Sequence, residues 1–493
     1  MTSSAEAENG VSREEDKRTT GRGILVVLGG VLIHMTIGTN SSYTFGQLGP
    51  YVTSYIRERS QPEDLTSQDL TLLYSVAHAV QALMMFWAGY MEWHFGVQIT
   101  TLTGALILTA GMLFSFLTIQ ISFNLVVLTS GVIYGVGLGI AYIPAWLCVI
   151  RWFPSKKGFV IGLVVAGFAL GSFVFGLIEK FFINPSNLQP DKPDPENPSQ
   201  KYYSQPDILD RVPYAYLLMA GLFAICQIGG ALLISNPPGY QRPDLHGTPK
   251  RDSEPDERTP LLQEKENSIE EKSIEGSESH SEIICDDEED PKMSGKTLSP
   301  KEMLLTRPFW TLWLVYALVT QTQVMVSSLY RFYGEEFIDD SNYMLALTIC
   351  SSIFNAQGRI IWGKLADVLS FKTVIIAMCS INAIFVLTLP LAPAGGKVFF
   401  FIWLCIVFFT FTGVFSVIPS VTVRVFGVKY SGMNYGLVFT ATAISSILGA
   451  YFDDDIVDAL GWGGMFVYCG FCSFLAMIVA FTFNQTTPTG KAI

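Results

Sequence analysis

The stretch "RWFPSKKGFVIGLV", Arg151 to Val164, returns in the second half of the chain as "RVFGVKYSGMNYGLV", Arg424 to Val438. One gap aligns them, and both keep an arginine, a lysine and a G-x-x-x-G-L-V. Each copy is a short basic turn that opens an apolar run. A second pair agrees: "GYMEWHFG" (Gly89 to Gly96) and "GKLADVLS" (Gly363 to Ser370) each carry an acid about one turn after their first glycine, Glu92 and Asp367. The chain therefore reads as two related halves.

The halves are built of membrane-spanning material. Of 493 residues, 50% are hydrophobic and 15% charged, with mean hydropathy +0.38, which is too apolar for a soluble protein of this size. A span needs about 20 mostly apolar residues, because the hydrocarbon core is about 30 Å thick and offers no water to the backbone. Twelve runs qualify: Gly23–Phe45, Asp69–Met91, Ile99–Ile119, Leu125–Ile150, Phe159–Phe182, Tyr214–Ser235, Phe309–Phe332, Tyr343–Ala366, Thr373–Ala392, Val398–Phe426, Met433–Phe452 and Trp462–Phe483. The first follows a polar tail of mixed charge and exceeds a signal-peptide core in length, so it is expected to be a permanent span. Seven of the eight cysteines fall in these runs; Cys469 and Cys472 are expected to act as small apolar side chains.

Basic residues set the orientation. Arg13, Lys17, Arg18 and Arg22 precede span 1, and Arg151, Lys156, Lys157, Lys364, Lys372, Arg424 and Lys429 sit in the loops after spans 4, 8 and 10. Acids fill the loops after spans 7 and 11 (Glu335, Glu336, Asp339, Asp340; Asp453, Asp454, Asp455, Asp458). Both termini are thus expected in the cytosol. The expected organisation is a cytosolic tail (1–22), a six-helix bundle (23–235), a linker (236–308), a second bundle (309–484) and a short cytosolic tail (485–493).

Between Asp244 and Asp290 the linker holds 17 acids against 5 bases, a difference of −12 that equals the net charge of the entire protein. That composition predicts disorder. Within it "ERTPLL" offers Glu257, Leu261 and Leu262 in the spacing E-x-x-x-L-L, an acidic dileucine signal that a clathrin adaptor reads for endosomal and lysosomal sorting; a chance match is the alternative.

Small residues mark close helix contacts: Gly135, Gly137 and Gly139 in span 4, Gly158/Gly162 and Gly167/Gly171 in span 5, Gly432/Gly436 in span 11. "GVGLG" follows no strand, so it is not a phosphate loop. No nucleophile–base pair, metal cluster or nucleic-acid motif shows, which argues against an enzyme, an ATP-driven pump, a cofactor or a nucleic-acid partner.

Twelve spans with basic turns after spans 2, 4, 8 and 10 resemble the major facilitator superfamily. "GVGLGIAYIPAWLCVIRWFPSKKGFVIGLVVAGFALGSFVF" is similar to its branch of oxalate:formate antiporters and monocarboxylate transporters. The resemblance implies an all-α integral membrane fold of two six-helix bundles that rock about a midplane cavity in the lipid bilayer. It implies a monomer that moves a small anionic or zwitterionic molecule. Ion pairs among Glu92, Arg151, Asp367, Arg359 and Lys372 are expected to gate the cytosolic face, with topology-setting charge as the alternative.

Arg359 precedes Asp367 by eight residues, about 12 Å along a helix, which places it near the midplane. A guanidinium facing lipid there costs several kcal/mol, so it is expected to face the cavity. Monocarboxylate transporters carry a substrate-binding arginine four residues before the glycine of that turn, and Arg359 and Gly363 have this spacing. A planar fork of donors suits a carboxylate. The alternative is a gate pair with Asp367 or Glu92.

Where the branch holds an aspartate one turn earlier, this chain has Asn355; where it holds a lysine late in span 1, this chain has Gln47; span 11 has no lysine. One cavity cation favours a monoanion or zwitterion over oxalate. Tyr142, Trp146 and Tyr43 are candidate walls of the site, with lipid-facing packing as the alternative. His34 and His78 are candidates for proton coupling, or else buried neutral rings bonded to a carbonyl. Two functions remain: a secondary transporter, probed by uptake into liposomes, and a non-transporting nutrient sensor or scaffold. An endosomal or lysosomal membrane is expected before the plasma membrane.

Overall fold

A backbone in lipid must bond to itself, and helices do so without outside partners. The computed structural model describes residues 21–38, 42–66, 69–194, 201–240 and 297–485, and it is helical along nearly all of them. The first half contains α1 (Gly21–Gly38), α2 (Ser42–Arg59), α3 (Thr71–Phe95), α4 (Val97–Thr118), α5 (Phe123–Trp152), α6 (Lys157–Ile183) and α7 (Arg211–Leu233). The second contains α8 (Arg307–Glu335), α9 (Ser341–Val368), α10 (Phe371–Leu387), α11 (Ala392–Phe411), α12 (Val414–Phe426) and α13 (Ser431–Phe481).

Ten stretches of the described residues are long and apolar enough to cross a bilayer. One of them, Phe371–Phe426, divides into α10 and the α11–α12 pair, and the part of α13 before Ile456 supplies another crossing. That makes the twelve expected. At 51 residues, α13 would extend about 77 Å if straight, more than twice the hydrocarbon thickness. It turns back at Gly461, whose φ of 66° suits glycine alone. The acids at 453–458, expected in a loop, continue the helix up to that bend.

Other boundaries also shift. Span 1 was expected to reach Phe45, but α1 stops at Gly38 and α2 continues to Arg59. Its polar end is tied to the loop before α7. There β1 (Lys192–Pro193) pairs antiparallel with β2 (Lys201–Tyr202). Lys192 pairs with Glu58 at 2.5 Å, Arg57 with Asp194 at 3.3 Å, and the Arg57 guanidinium lies 4.2 Å over the Tyr202 ring. The linker, expected to be disordered from 236 to 308, is ordered at both roots: Leu298 donates to the Phe426 carbonyl, and Ser299 caps a short helix, Pro300–Leu304.

The two halves meet along α6–α9 and α3–α13, most tightly at the end that carries Arg151, Lys156 and Arg424. The duplicated glycines make this possible. A Cβ on Gly158 would stand 2.2 Å from the Gly363 carbonyl oxygen, one on Gly162 2.4 Å from that of Arg359, and one on Gly89 2.3 Å from Gly432. No side chain fits such spaces. Hence each repeat's G-x-x-x-G faces a helix of the other half, and this basic end is closed. At the opposite end the halves touch more sparsely, through α2 and α8.

Candidate functional site

Arg359 lies on α9 where the two halves meet, 2% exposed. Its Nε donates to Asn355 Oδ1 at 2.9 Å, one turn back on the same helix. Its Nη1 donates at 3.1 Å to the Val165 carbonyl of α6, across the interface. The guanidinium lies over two phenyl rings, Phe168 of α6 and Phe415 of α12, with its Cζ 4.7 Å from each centroid. Two ring contacts and two hydrogen bonds together hold the planar cation in one orientation. The lipid-facing option is closed.

Aromatic rings continue from this pair in both directions. Phe415 meets Tyr316 at 5.9 Å, Tyr316 meets Phe439 at 5.7 Å, Phe439 meets Tyr142 at 5.8 Å, and Tyr142 meets His34 at 4.6 Å. On the other side Phe168 meets His78 at 6.4 Å. Trp146 joins through Tyr435 at 5.3 Å, and the Tyr435 hydroxyl lies 3.2 Å from that of Tyr316. His34, Tyr142 and Tyr316 all stand within electrostatic reach of Arg359. Tyr142 and Trp146 are therefore interior residues at the junction of the halves, and both are buried.

Several buried polar atoms in this circuit lack a protein partner: Trp146 Nε1, Asn355 Nδ2 and His34 Nε2. An orphaned buried donor or acceptor is costly, which sets these three atoms apart from the bonded polar groups around them. His34 Nδ1 lies 3.0 Å from the Gly30 carbonyl, which only accepts. That bond makes Nδ1 the donor and leaves Nε2 an acceptor in the neutral ring. His78 likewise bonds the Tyr74 carbonyl through Nδ1 at 3.1 Å. Tyr43 and Gln47 fall in α2, but their side chains lie outside the described residues.

The basic end holds two matching ion pairs, one in each half. Arg151 Nη1 donates to Glu92 at 2.8 Å and to Asn236 Oδ1 at 2.8 Å. Arg424 Nη2 meets Asp367 at 2.5 Å. Asp367 does more than its counterpart: Oδ1 and Oδ2 accept the backbone N–H groups of Gly158 and Phe159, each at 2.8 Å, at the first turn of α6. An anion there meets unsatisfied amides and the positive end of the helix. Lys372, an expected partner of Asp367, instead donates to Asn484 Oδ1 at 2.8 Å. Arg424 replaces it because α12 passes beside the end of α9, whereas Lys372 begins α10 and points away along the surface. The Arg359–Asp367 and Arg359–Glu92 pairs are not the arrangement seen, since both carboxylates bond to closer partners.

Sequence reading missed Phe168, Phe415, Tyr316 and Tyr435, which 13% aromatic content conceals. It also passed over Glu179, an acid inside the span-5 run whose presence among apolar neighbours was a readable signal. Glu257, Leu261 and Leu262 lie outside the described residues.

The family model of the Major Facilitator Superfamily matches residues 26–450. The chain is 28% identical to apicoplast pyruvate carrier 1 of Toxoplasma gondii, over 97% of this chain and 91% of that protein. It is 24% identical to the oxalate:formate antiporter of Oxalobacter formigenes, over 83% and 80% of the two chains, and 22% identical to human monocarboxylate transporter 14, over 74% and 72%. Among solved structures, the fucose:proton symporter of E. coli superposes with a TM-score of 0.60 at 15% identity, covering 94% of this chain and 98% of that one. At that identity the likeness concerns the fold.

Proposed function

The chain belongs to the Major Facilitator Superfamily, and on that footing we propose that it carries a small organic monoanion, a monocarboxylate or an amino acid, by alternating access. The observation that carries this reading is the position of Arg359: buried between the halves, bonded to α6 and lying over one ring from each half. A carboxylate bonded to its edge is gripped by both halves at once, so its arrival and departure change how the halves fit. The aromatic circuit supplies shape, and Trp146 Nε1 and Asn355 Nδ2 supply further donors. His34 Nε2, an acceptor, favours a hydroxy or amino substituent beside the carboxylate. Apart from the two histidines the circuit around Arg359 is uncharged, which favours one negative charge over two.

Similarity to a pyruvate carrier along nearly the entire chain makes pyruvate the first compound to test. Purified protein in liposomes preloaded with pyruvate should accumulate labelled pyruvate by counterflow, with lactate, alanine and oxalate as the comparison set. Absence of counterflow for all four refutes the reading. The basic end faces the cytosol in this proposal, and Glu257, Leu261 and Leu262 direct the protein to an endosomal or lysosomal membrane. Leu261→Ala combined with Leu262→Ala should move it to the plasma membrane; an unchanged distribution shows the motif idle.

A sensor or scaffold has one observation in its favour. The linker's first root docks on the gate, with the Arg151 guanidinium 4.4 Å over the Tyr240 ring, so the linker would register whether that end is open. Cytosolic proteins retained by the linker, with no counterflow, would select it.

A further inference from the structure

On the premise that the chain transports a monoanion, we propose that Glu179 binds and releases the proton that travels with it. Glu179 sits in α6 on a face shared with Ser172, Phe175, Gly176 and Ile183, all buried. It is 3% exposed, Oε2 has no protein hydrogen-bond partner, and the carboxyl makes no ion pair among the described residues. A bare carboxylate in such a place is strongly disfavoured, and the neutral acid is not. The group thus holds its proton while the basic end is closed.

The charged groups around it are committed elsewhere. α7 presents Tyr216, which is buried and faces Glu179, while Arg211 of the same helix donates to the Phe182 carbonyl. On α2, Arg57, Glu58 and Arg59 pair with Asp194, Lys192 and Asp210; the Tyr51 hydroxyl accepts from Asn184 and Tyr55 lies beside Arg59 and Asp210. α5 contributes Tyr134, whose hydroxyl donates to the Thr36 carbonyl. Lys180, the next residue, is half-buried and feels Arg331 of α8. The contacts of α6 with α9 and α12 lie towards its other end, around Gly158, Gly162 and the Phe168–Arg359–Phe415 cluster. His34 is the poorer carrier, because a second positive charge there would face Arg359.

One helix links all the parts. Asp367 holds the first turn of α6, Arg359 bonds its middle, and Glu179 stands about 16 Å beyond Phe168 along the same axis. When the latch at Gly158 opens, α6 moves as one rod and the packing around Glu179, about 32 Å from that latch, changes with it; the proton passes to water in the cavity between the halves, leaving the carboxylate. One proton and one monoanion cross per cycle, with no net charge moved and no electron transferred.

Glu179→Gln keeps the shape and cannot release a proton. In proteoliposomes it should retain pyruvate counterflow yet lose pyruvate accumulation driven by an imposed pH gradient, while Glu179→Asp retains both. Accumulation in Glu179→Gln equal to the unsubstituted protein overturns the proposal, as does pyruvate accumulation in the unsubstituted protein that ignores an imposed pH gradient. If pyruvate shows no counterflow at all, the transport reading for it fails separately, and infrared spectroscopy still decides on Glu179. The purified protein at pH 7 should show a carboxylic-acid C=O stretch that Glu179→Gln removes. Its absence from the unsubstituted protein sinks the assignment.

Discussion

The Asp367 carboxylate crosses from the second half to the first and accepts the Gly158 backbone N–H at 2.8 Å. It also accepts the Phe159 N–H and pairs with Arg424 of its own half, so of three charge-assisted contacts the two to the backbone N–H groups cross between the halves and close the basic end. Those two depend on a rigid helix start rather than on a flexible side chain, so little entropy opposes them.

Asp367→Asn should weaken that closure. Losing the charge at the helix start removes about 2 kcal/mol from the contact between the halves, roughly thirtyfold in a two-state equilibrium. Spin labels at the exposed positions 156 and 364 should report a larger population of long distances between the halves. An unaltered distance distribution removes Asp367 from the latch.

Gly158→Ala should prevent closure by another route, because its Cβ would stand 2.2 Å from the Gly363 oxygen. Uptake should fall severely. Gly229→Ala is the control: nothing lies within 4 Å of a Cβ there, and the helix should gain about 0.5–1 kcal/mol. Equal behaviour of the two variants in uptake and thermal stability would falsify the close-approach account.

Arg359→Lys should lose most uptake and remain folded, as judged by its elution and melting temperature. An ammonium on a flexible stem neither lies flat over Phe168 and Phe415 nor presents a fork to a carboxylate. Undiminished uptake excludes Arg359 from the anion site.

Asn355→Asp should make uptake acid-dependent. The side-chain oxygen already sits 2.9 Å from Arg359 Nε, so a carboxylate there would neutralise the guanidinium and compete with the substrate anion. Protonating it restores the present arrangement. Uptake should drop at pH 7 and stay low until the pH falls below the ordinary carboxylate range, because the guanidinium favours the ionised form; a pH profile parallel to that of the unsubstituted protein contradicts the prediction.

The loop between α6 and α7 should withstand acidity. The Ser204 backbone N–H and hydroxyl, at 2.8 Å and 2.7 Å, hold the Asp191 carboxyl below the usual carboxylate range. A lowered folded value means the stabilisation is present above the unfolded value, about 3.9, and is lost only as pH falls through the lower folded one. Amide exchange across residues 188–204, compared at matched intrinsic rates, should be the same at pH 7 and pH 5. Loss of protection already at pH 5 would mean the contact does not form.

The twelve crossings were legible because lipid leaves the backbone one economical arrangement, and apolar runs announce it. So were the glycines of the duplicated motif: a contact this close admits no side chain, and Gly158, Gly162, Gly432 and Gly436 had to remain bare. That Arg359 stands about two turns before Asp367 on one helix followed from their eight-residue spacing alone. The end of α2 was not legible, because a short hairpin and three ion pairs hold it, and none of these has a local signature.

What the sequence by itself determined was which runs are apolar enough to cross a membrane, how the halves repeat, and that Arg359 falls inside one of those runs. What only the tertiary structure decided was partnership: Arg424 rather than Lys372 for Asp367, Phe168 and Phe415 as the rings beside Arg359, and no protein bond for Glu179 Oε2. The reason is physical. Burial in lipid acts on each segment separately and is written into its composition, whereas a contact such as Asp367 to Gly158 spans 209 residues of chain and exists only once both halves have packed.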